Sequence, residues 1–223
     1  MFERAISLVG ESAFKKIQAK TILIVGIGGV GGFTTEALVR SGIQNIILID
    51  YDKIDITNLN RQIISTNKNI DKFKVDEFKK RINKINQKCN VETIKMFLDK
   101  TNIHILDKYQ IDYIVDACDS IEAKKLLIDY SIKNSIKLIS SMGTANKLDP
   151  TKLEIIDIRK TSYDPLAKIL RKYVKDIKTN KKIMVVSSNE EPIKCKNLST
   201  LIFVPATAGL LCANYIINDI IKE

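Results

Sequence analysis

Gly26-Ile27-Gly28-Gly29-Val30-Gly31 carries the G-x-G-x-x-G spacing that lets a chain turn tightly and bring its backbone close to a ligand. The loop follows an apolar β-branched run, Thr21–Val25, and precedes a stretch with Phe33, Ala37 and Leu38 on one helical face. A glycine turn between strand and helix gathers free N–H groups and the positive end of a helix dipole, a combination that suits a phosphate. A second apolar run, Ile46–Ile49, ends at Asp50. An acid about 20 residues beyond such a loop hydrogen-bonds ribose hydroxyls. The polar block that follows includes Asp52, Asn58, Asn60, Arg61 and Gln62, and a nicotinamide dehydrogenase has no use for it. Lys74 opens the next helical stretch, and Asp119 lies just beyond the buried run that ends in Asp116. Acids, an arginine and a lysine around a phosphate loop suit chemistry at phosphorus. Cations neutralise phosphate charge as a bond forms, and aspartate holds Mg²⁺.

These residues need a scaffold, and the hydrophobic periodicity describes one. The polar stretch 54–70 is too long for a plain connection and reads as functional. Beyond it, Phe73–Ile85 reads as a helix with Val75, Phe78, Ile82 and Ile85 inward, Val91–Phe97 as a strand and Ile103–Lys108 as a short helix. Tyr113–Val115 and Leu138–Ser141 read as strands on either side of a helix over Ile121–Asn134, which Ser120 caps. Alternating β and α predict an α/β fold: a Rossmann-like, mostly parallel sheet with helices on both faces. A C-terminal mixed β/α portion extends it, with an edge strand over Leu153–Ile158 and a strand over Ile183–Ser187. A helix opens at Pro165 with a stripe of Leu166, Ile169, Leu170, Tyr173, Val174 and Ile177, and Ser188–Ser199 is a polar loop. Glu3–Lys20 reads as one amphipathic helical lead-in with Leu8, Phe14 and Ile17 apolar. The whole chain is expected to be a single domain: lead-in 1–20, nucleotide-binding core 21–142 and a substrate-facing portion 143–223.

Composition bounds the rest. At 223 residues and 45% hydrophobic content the chain buries a proper core. A formal charge of +10 points to a polyanionic partner. Within the C-terminal portion, Lys168, Arg171, Lys172 and Lys175 fall at helical spacing on one face, a cationic ridge away from the apolar stripe. Cys89, Cys118, Cys195 and Cys212 contain no C-x-x-C pair, which excludes a zinc knuckle and a disulfide framework and fits a reducing cytoplasm. Cys118 reads as packing, Cys195 as a loop residue without catalytic context, and His104 as a solvated or capping residue. No signal peptide opens the chain, and Leu201–Ile217, interrupted by Pro205 and Asn214, reads as a buried helix rather than a membrane span.

Taken jointly, GIGGVG, LIDYD, NLNRQ, Lys74 and VDACDS resemble the ThiF/MoeB/HesA superfamily, the adenylating enzymes related to ubiquitin activation. The resemblance covers Phe2 to about Met142. It implies that ATP adenylates a carboxylate. Asp50 would hold the ribose, Asn58, Arg61 and Lys74 the phosphates, and Asp52 and the loop glycines Gly26, Gly28, Gly29 and Gly31 would complete the ATP site. Asp119 would coordinate Mg²⁺, and Arg4, in FERAISLVGE, would reach across a homodimer to its partner's site. Further on, MGTANKLDPTKLEIIDIRKTSYDPLAKILRKYVK and FVPATAGL resemble the branch that dehydrates threonylcarbamoyladenosine in transfer RNA. That implies closure of a ring within the activated side chain and leaves open whether a sulfur-transfer protein docks as a partner; the basic ridge, from its charge spacing, is expected to grip the transfer RNA backbone. The alternative is an adenylyltransferase of a ubiquitin-like sulfur carrier; such enzymes usually carry two C-x-x-C pairs, absent here. Two departures from the pattern are Gly32 in place of a common serine and the lack of a glycine-rich run before the last helix.

Overall fold

Uninterrupted aliphatic runs become strands buried on both faces, as parallel sheets demand. The computed structural model describes residues 1–223. β1 (Thr21–Val25), β2 (Asn45–Ile49), β3 (Asn90–Ile94), β4 (Tyr113–Asp116), β5 (Lys137–Ser141), β6 (Leu153–Asp157) and β7 (Met184–Ser188) form one sheet in the order β3-β2-β1-β4-β5-β7-β6. Every pairing is parallel except β6 with β7, which places β6 at the edge as its alternating pattern requires. The chain moves outward from β1 in both directions, so the carboxyl ends of β1 and β4 flank the switch point where such sheets bind ligands.

Helices cover both faces. Ile22 and Ile24 of β1 point into a core shared with α2 (Glu11–Ala19), α3 (Gly31–Arg40), α4 (Lys74–Ile85) and α7 (Phe203–Lys222). Leu23 and Val25 point into the opposite core, closed by α5 (Ile121–Asn134), α6 (Pro165–Asp176) and a 3₁₀ turn over Ile103–Lys108. Ser120 Oγ accepts from the Ala123 N–H and Asp164 Oδ1 from the Ala167 N–H, capping α5 and α6 at their first turns.

Four details depart from the sequence reading. The lead-in is two helices, α1 (Glu3–Val9) and α2, because Gly10 adopts φ +82° and breaks the run; Phe14 and Ile17 are buried while Leu8 is 85% exposed. β3 stops at Ile94, and Phe97 leaves the sheet to meet Tyr51 edge to face at 5.2 Å. On α6 only Ala167, Leu170 and Val174 are fully buried, whereas Ile169 and Ile177 are exposed. The last helix runs from Phe203 to Lys222 and is long and apolar enough to cross a membrane. Here that apolarity packs the helix on α3: a Cβ on Gly209 would lie 2.3 Å from Val30 O, and Thr34 Oγ1 donates to Gly209 O at 3.0 Å.

Candidate active site

The glycine loop is held by contacts that a side chain would destroy. Gly26 has φ +81°, and a Cβ there would sit 2.8 Å from the Ala117 backbone. On Gly31 a Cβ would fall 1.9 Å from Gly26 O. The loop therefore lies directly on the end of β4. A Cβ on Gly32 would meet Phe78 at 3.0 Å and Ile63 at 3.4 Å, so a serine there would need the phenyl ring to shift.

Asp50 directly follows β2 and ties the loop to it: the Ile27 N–H donates to Oδ2 and the Asp52 N–H to Oδ1, both at 2.8 Å. Burial pushes the Asp50 carboxyl above its ordinary value, and the Lys74 charge opposes that shift. Lys74, in the first turn of α4, is 4% exposed and donates to Asp52 Oδ2 at 2.7 Å. The polar block 54–70 is pinched off as a loop by an antiparallel bridge between Lys53 and Phe73. Inside it Asp55 and Asn58 cap a 3₁₀ turn reciprocally, with the Asp55 N–H donating to Asn58 Oδ1 at 3.1 Å. That turn leaves Asn58 and Arg61 on the wall of the cleft that the glycines also line. Arg61 Nη1 donates to Thr57 O at 2.8 Å, and its stem passes Gly29, where a Cβ would stand 3.5 Å from Cγ.

Gly26, Gly28, Gly29, Asp50, Asp52, Asn58, Arg61, Lys74 and Asp119 all line one cleft of about 850 Å³. Gly31 shapes the loop from beneath. Asp119 stands exposed on the opposite bank, beyond β4. No three His, Cys, Asp or Glu side chains cluster as a ready metal cage. A magnesium ion bound through one carboxylate, phosphate oxygens and water needs none, and Asp119 fits that role. Arg4 is exposed on α1 and lies outside this cleft. Cys195 is exposed outside it too, and His104 is exposed on its 3₁₀ turn.

The basic ridge holds three of its four members. Lys168, Lys172 and Lys175 project into solvent. Arg171 does not: it turns back to donate to Thr161 O and, at 2.7 Å, to Thr161 Oγ1. A helical spacing marks a face but not the direction a long side chain takes from it. The exposed Ile169 borders the cleft, which extends past the glycine loop along Ser141–Lys147 and Asp164–Leu166.

Three features escaped the sequence. Gln62 is 6% exposed beside Gly28, with Oε1 unpartnered in the cleft wall. Asp116, read as a strand-end residue, is a fully buried partner of Lys124, whose Nζ reaches both carboxylate oxygens at 3.1 Å and Ser141 O at 2.8 Å. Cys118 lies against the same pair, its Sγ 3.0 Å from Asp116 Oδ1, and burial followed by the Asp116 charge pushes its thiol well up. A lysine on the Leu127 and Ile128 face of α5 was the available signal. The third is a second buried pair, Lys147 and Asp164, at the far end of the cleft.

The sequence pattern described as the ThiF family matches residues 2–222. The chain is 36% identical over 241 residues to a protein of Bacillus subtilis (strain 168) named tRNA threonylcarbamoyladenosine dehydratase, covering all of this chain and 95% of that one. A protein of the same name from Escherichia coli (strain K12) is 34% identical over 206 residues, covering 92% of this chain and 76% of its own. The crystal structure of the E. coli enzyme in complex with ATP superposes with a TM-score of 0.94 at 33% identity, covering 99% of this chain and 93% of that one.

Proposed function

This chain belongs to the ThiF family, and we propose that within it the protein is an ATP-dependent dehydratase of threonylcarbamoyladenosine in transfer RNA. The observation that carries the reading is similarity over nearly all of this chain, in sequence and fold, to enzymes of that name, joined to a cleft with a glycine loop at one end and room beyond it. A carboxylate resists attack because its leaving group would be oxide. A carboxylate oxygen bonding to the α-phosphorus of ATP expels pyrophosphate and leaves an acyl-adenylate, whose leaving group is AMP. The ureido group of the same side chain then attacks the acyl carbon, closes a ring and releases AMP and one proton. Proximity supplies much of that second step, and no enzyme nucleophile is required. The net change in the nucleoside is loss of one water.

In this reading Asp50 and Asp52 hold the ribose, and Asn58, Arg61 and Lys74 the phosphates. A magnesium ion on Asp119 would neutralise charge developing on the phosphates. Arg4, outside its own cleft, serves the cleft of a second copy in a homodimer, and a sulfur-transfer protein remains a candidate partner. Four free cysteines suit the reducing cytoplasm, where we place the reaction. A carrier-protein adenylyltransferase is disfavoured, since the relatives matched along most of their own length are the dehydratases.

The test is mass spectrometry of transfer RNA nucleosides after incubation with ATP. Wild type is expected to convert the modified adenosine to a product lighter by one water. Asp119→Ala, at an exposed position that the fold does not need, is expected to react roughly 10²-fold more slowly. Absence of the product with wild type overturns the reading, and near-normal turnover by Asp119→Ala overturns the role of Asp119.

A further inference from the structure

Two buried lysine–aspartate pairs stand near the carboxyl end of the sheet, and they differ in one respect. Lys124 is closed: its ammonium meets Asp116 twice at 3.1 Å, Ser141 O at 2.8 Å and Ser140 Oγ at 3.3 Å. Lys147 is open. It is 2% exposed, yet its Nζ has only Ser188 O at 3.5 Å and Asp164 Oδ2 at 3.7 Å, both beyond a good hydrogen bond. Asp164 is 3% exposed; its Oδ1 caps α6, while Oδ2 has no hydrogen-bond donor at all. Burial holds the Lys147 amine below the ordinary lysine value, against the charges of Asp164 and Glu190. A buried ammonium and a buried carboxylate oxygen with unfilled hydrogen-bonding capacity are costly to keep.

The pair is also held in place in the wall of the cleft. Glu190 accepts from the Leu148 and Asp149 N–H groups at 3.1 and 3.0 Å, strapping down the segment that carries Lys147. Gly143 lies over Asp164, where a Cβ would come within 3.1 Å of Oδ2. Both residues line the cleft at the end away from the glycine loop, whose polar groups serve the nucleotide.

We infer that Asp164 and Lys147 form the subsite for the substrate's ureido group, Asp164 Oδ2 accepting from its N–H and Lys147 Nζ donating to its carbonyl oxygen. The inference rests on the dehydratase reading and adds a residue-level recognition element to it. Charge balance selects the class of group. The pair nets to zero, so it accommodates a neutral group bearing both a donor and an acceptor, whereas the substrate carboxylate belongs beside the ATP phosphates. A urea offers N–H donors and a carbonyl side by side and satisfies both residues at once.

The test uses the full chain with transfer RNA that carries the threonylcarbamoyl group, and the same transfer RNA without it as a competitor. Asp164→Asn removes the free acceptor while keeping a side chain that caps a helix as well as aspartate does. We expect its KM for the modified transfer RNA to rise on the order of tenfold, the equivalent of one hydrogen bond. ATP affinity, inhibition by unmodified transfer RNA and melting temperature should stay at wild-type values. Lys147→Gln should show the same pattern, and it carries the test if Asp164→Asn melts well below wild type. A wild-type KM in either folded variant, or a parallel loss of ATP affinity and melting temperature in both, overturns the subsite. Failure of the wild type itself to dehydrate modified transfer RNA overturns the dehydratase reading instead, and the subsite falls with it.

Discussion

Lys124 is wholly buried on α5, and its ammonium joins the ends of two strands through Asp116, Ser140 and Ser141. Ser140 Oγ adds a bond of 2.6 Å to Asp116 Oδ2, so the carboxylate is satisfied only as part of this cluster. A buried ion pair adds little against an apolar replacement, but losing one partner strands the other charge. Lys124→Met is therefore expected to cost about 3–5 kcal/mol, read from denaturant midpoints, with Asp116→Asn added to it recovering part of the loss. A cost below about 1 kcal/mol would show that water reaches Asp116. The cluster bears on the site because Ala117, the next residue, is the surface on which Gly26 rests. Burial pushes the thiol of Cys212 up to about 12 and, elsewhere in the core, that of Cys89 to about 11, which disfavours the reactive thiolate.

Among the elements, α6 divides its work between its faces. Ala167, Leu170 and Val174 fix it to the sheet, while Lys168, Lys172 and Lys175 face solvent. Ion pairing of such a row with phosphates positions a nucleic acid without reading its sequence. Reversing the three lysines to Glu is expected to weaken transfer RNA binding about equally across species. It should also lower the salt slope by about one unit for each phosphate no longer neutralised. Arg171→Ala, which releases Thr161 instead, should leave that slope alone. Unchanged affinity of the triple variant at physiological salt would return α6 to a plain solvated helix.

For the molecule as a whole, the question is whether one chain holds a complete site. α1 is separated from α2 at Gly10 and carries an exposed Arg4 and an 85% exposed Leu8 on the outside of the fold. In the homodimer proposed above, that arginine would serve the cleft of the second chain. Arg4→Ala mixed with Asp119→Ala is expected to regain part of the activity each lacks alone. Heterodimers would then hold one cleft with both residues intact. No recovery after verified subunit exchange would place Arg4 outside the reaction.

The phosphate loop, the acid at the end of β2, the alternation of strands and helices and the edge position of β6 are all local properties, and each was legible. Glycine spacing, β-branched runs and a period of two or 3.6 record what the backbone does within a few residues. Asn58, Arg61, Lys74 and Asp119 were legible as a set because their motif keeps its spacing, but their meeting in one cleft is a consequence of strand order. Tertiary structure alone decided the rest. Arg171 faces inward because Thr161 offers it a carbonyl ten residues away. Lys124 and Lys147 are buried because Asp116 and Asp164 arrive from other elements to meet them. A lysine in a sequence looks solvated by default, and only the third dimension supplies the carboxylate that allows it inside.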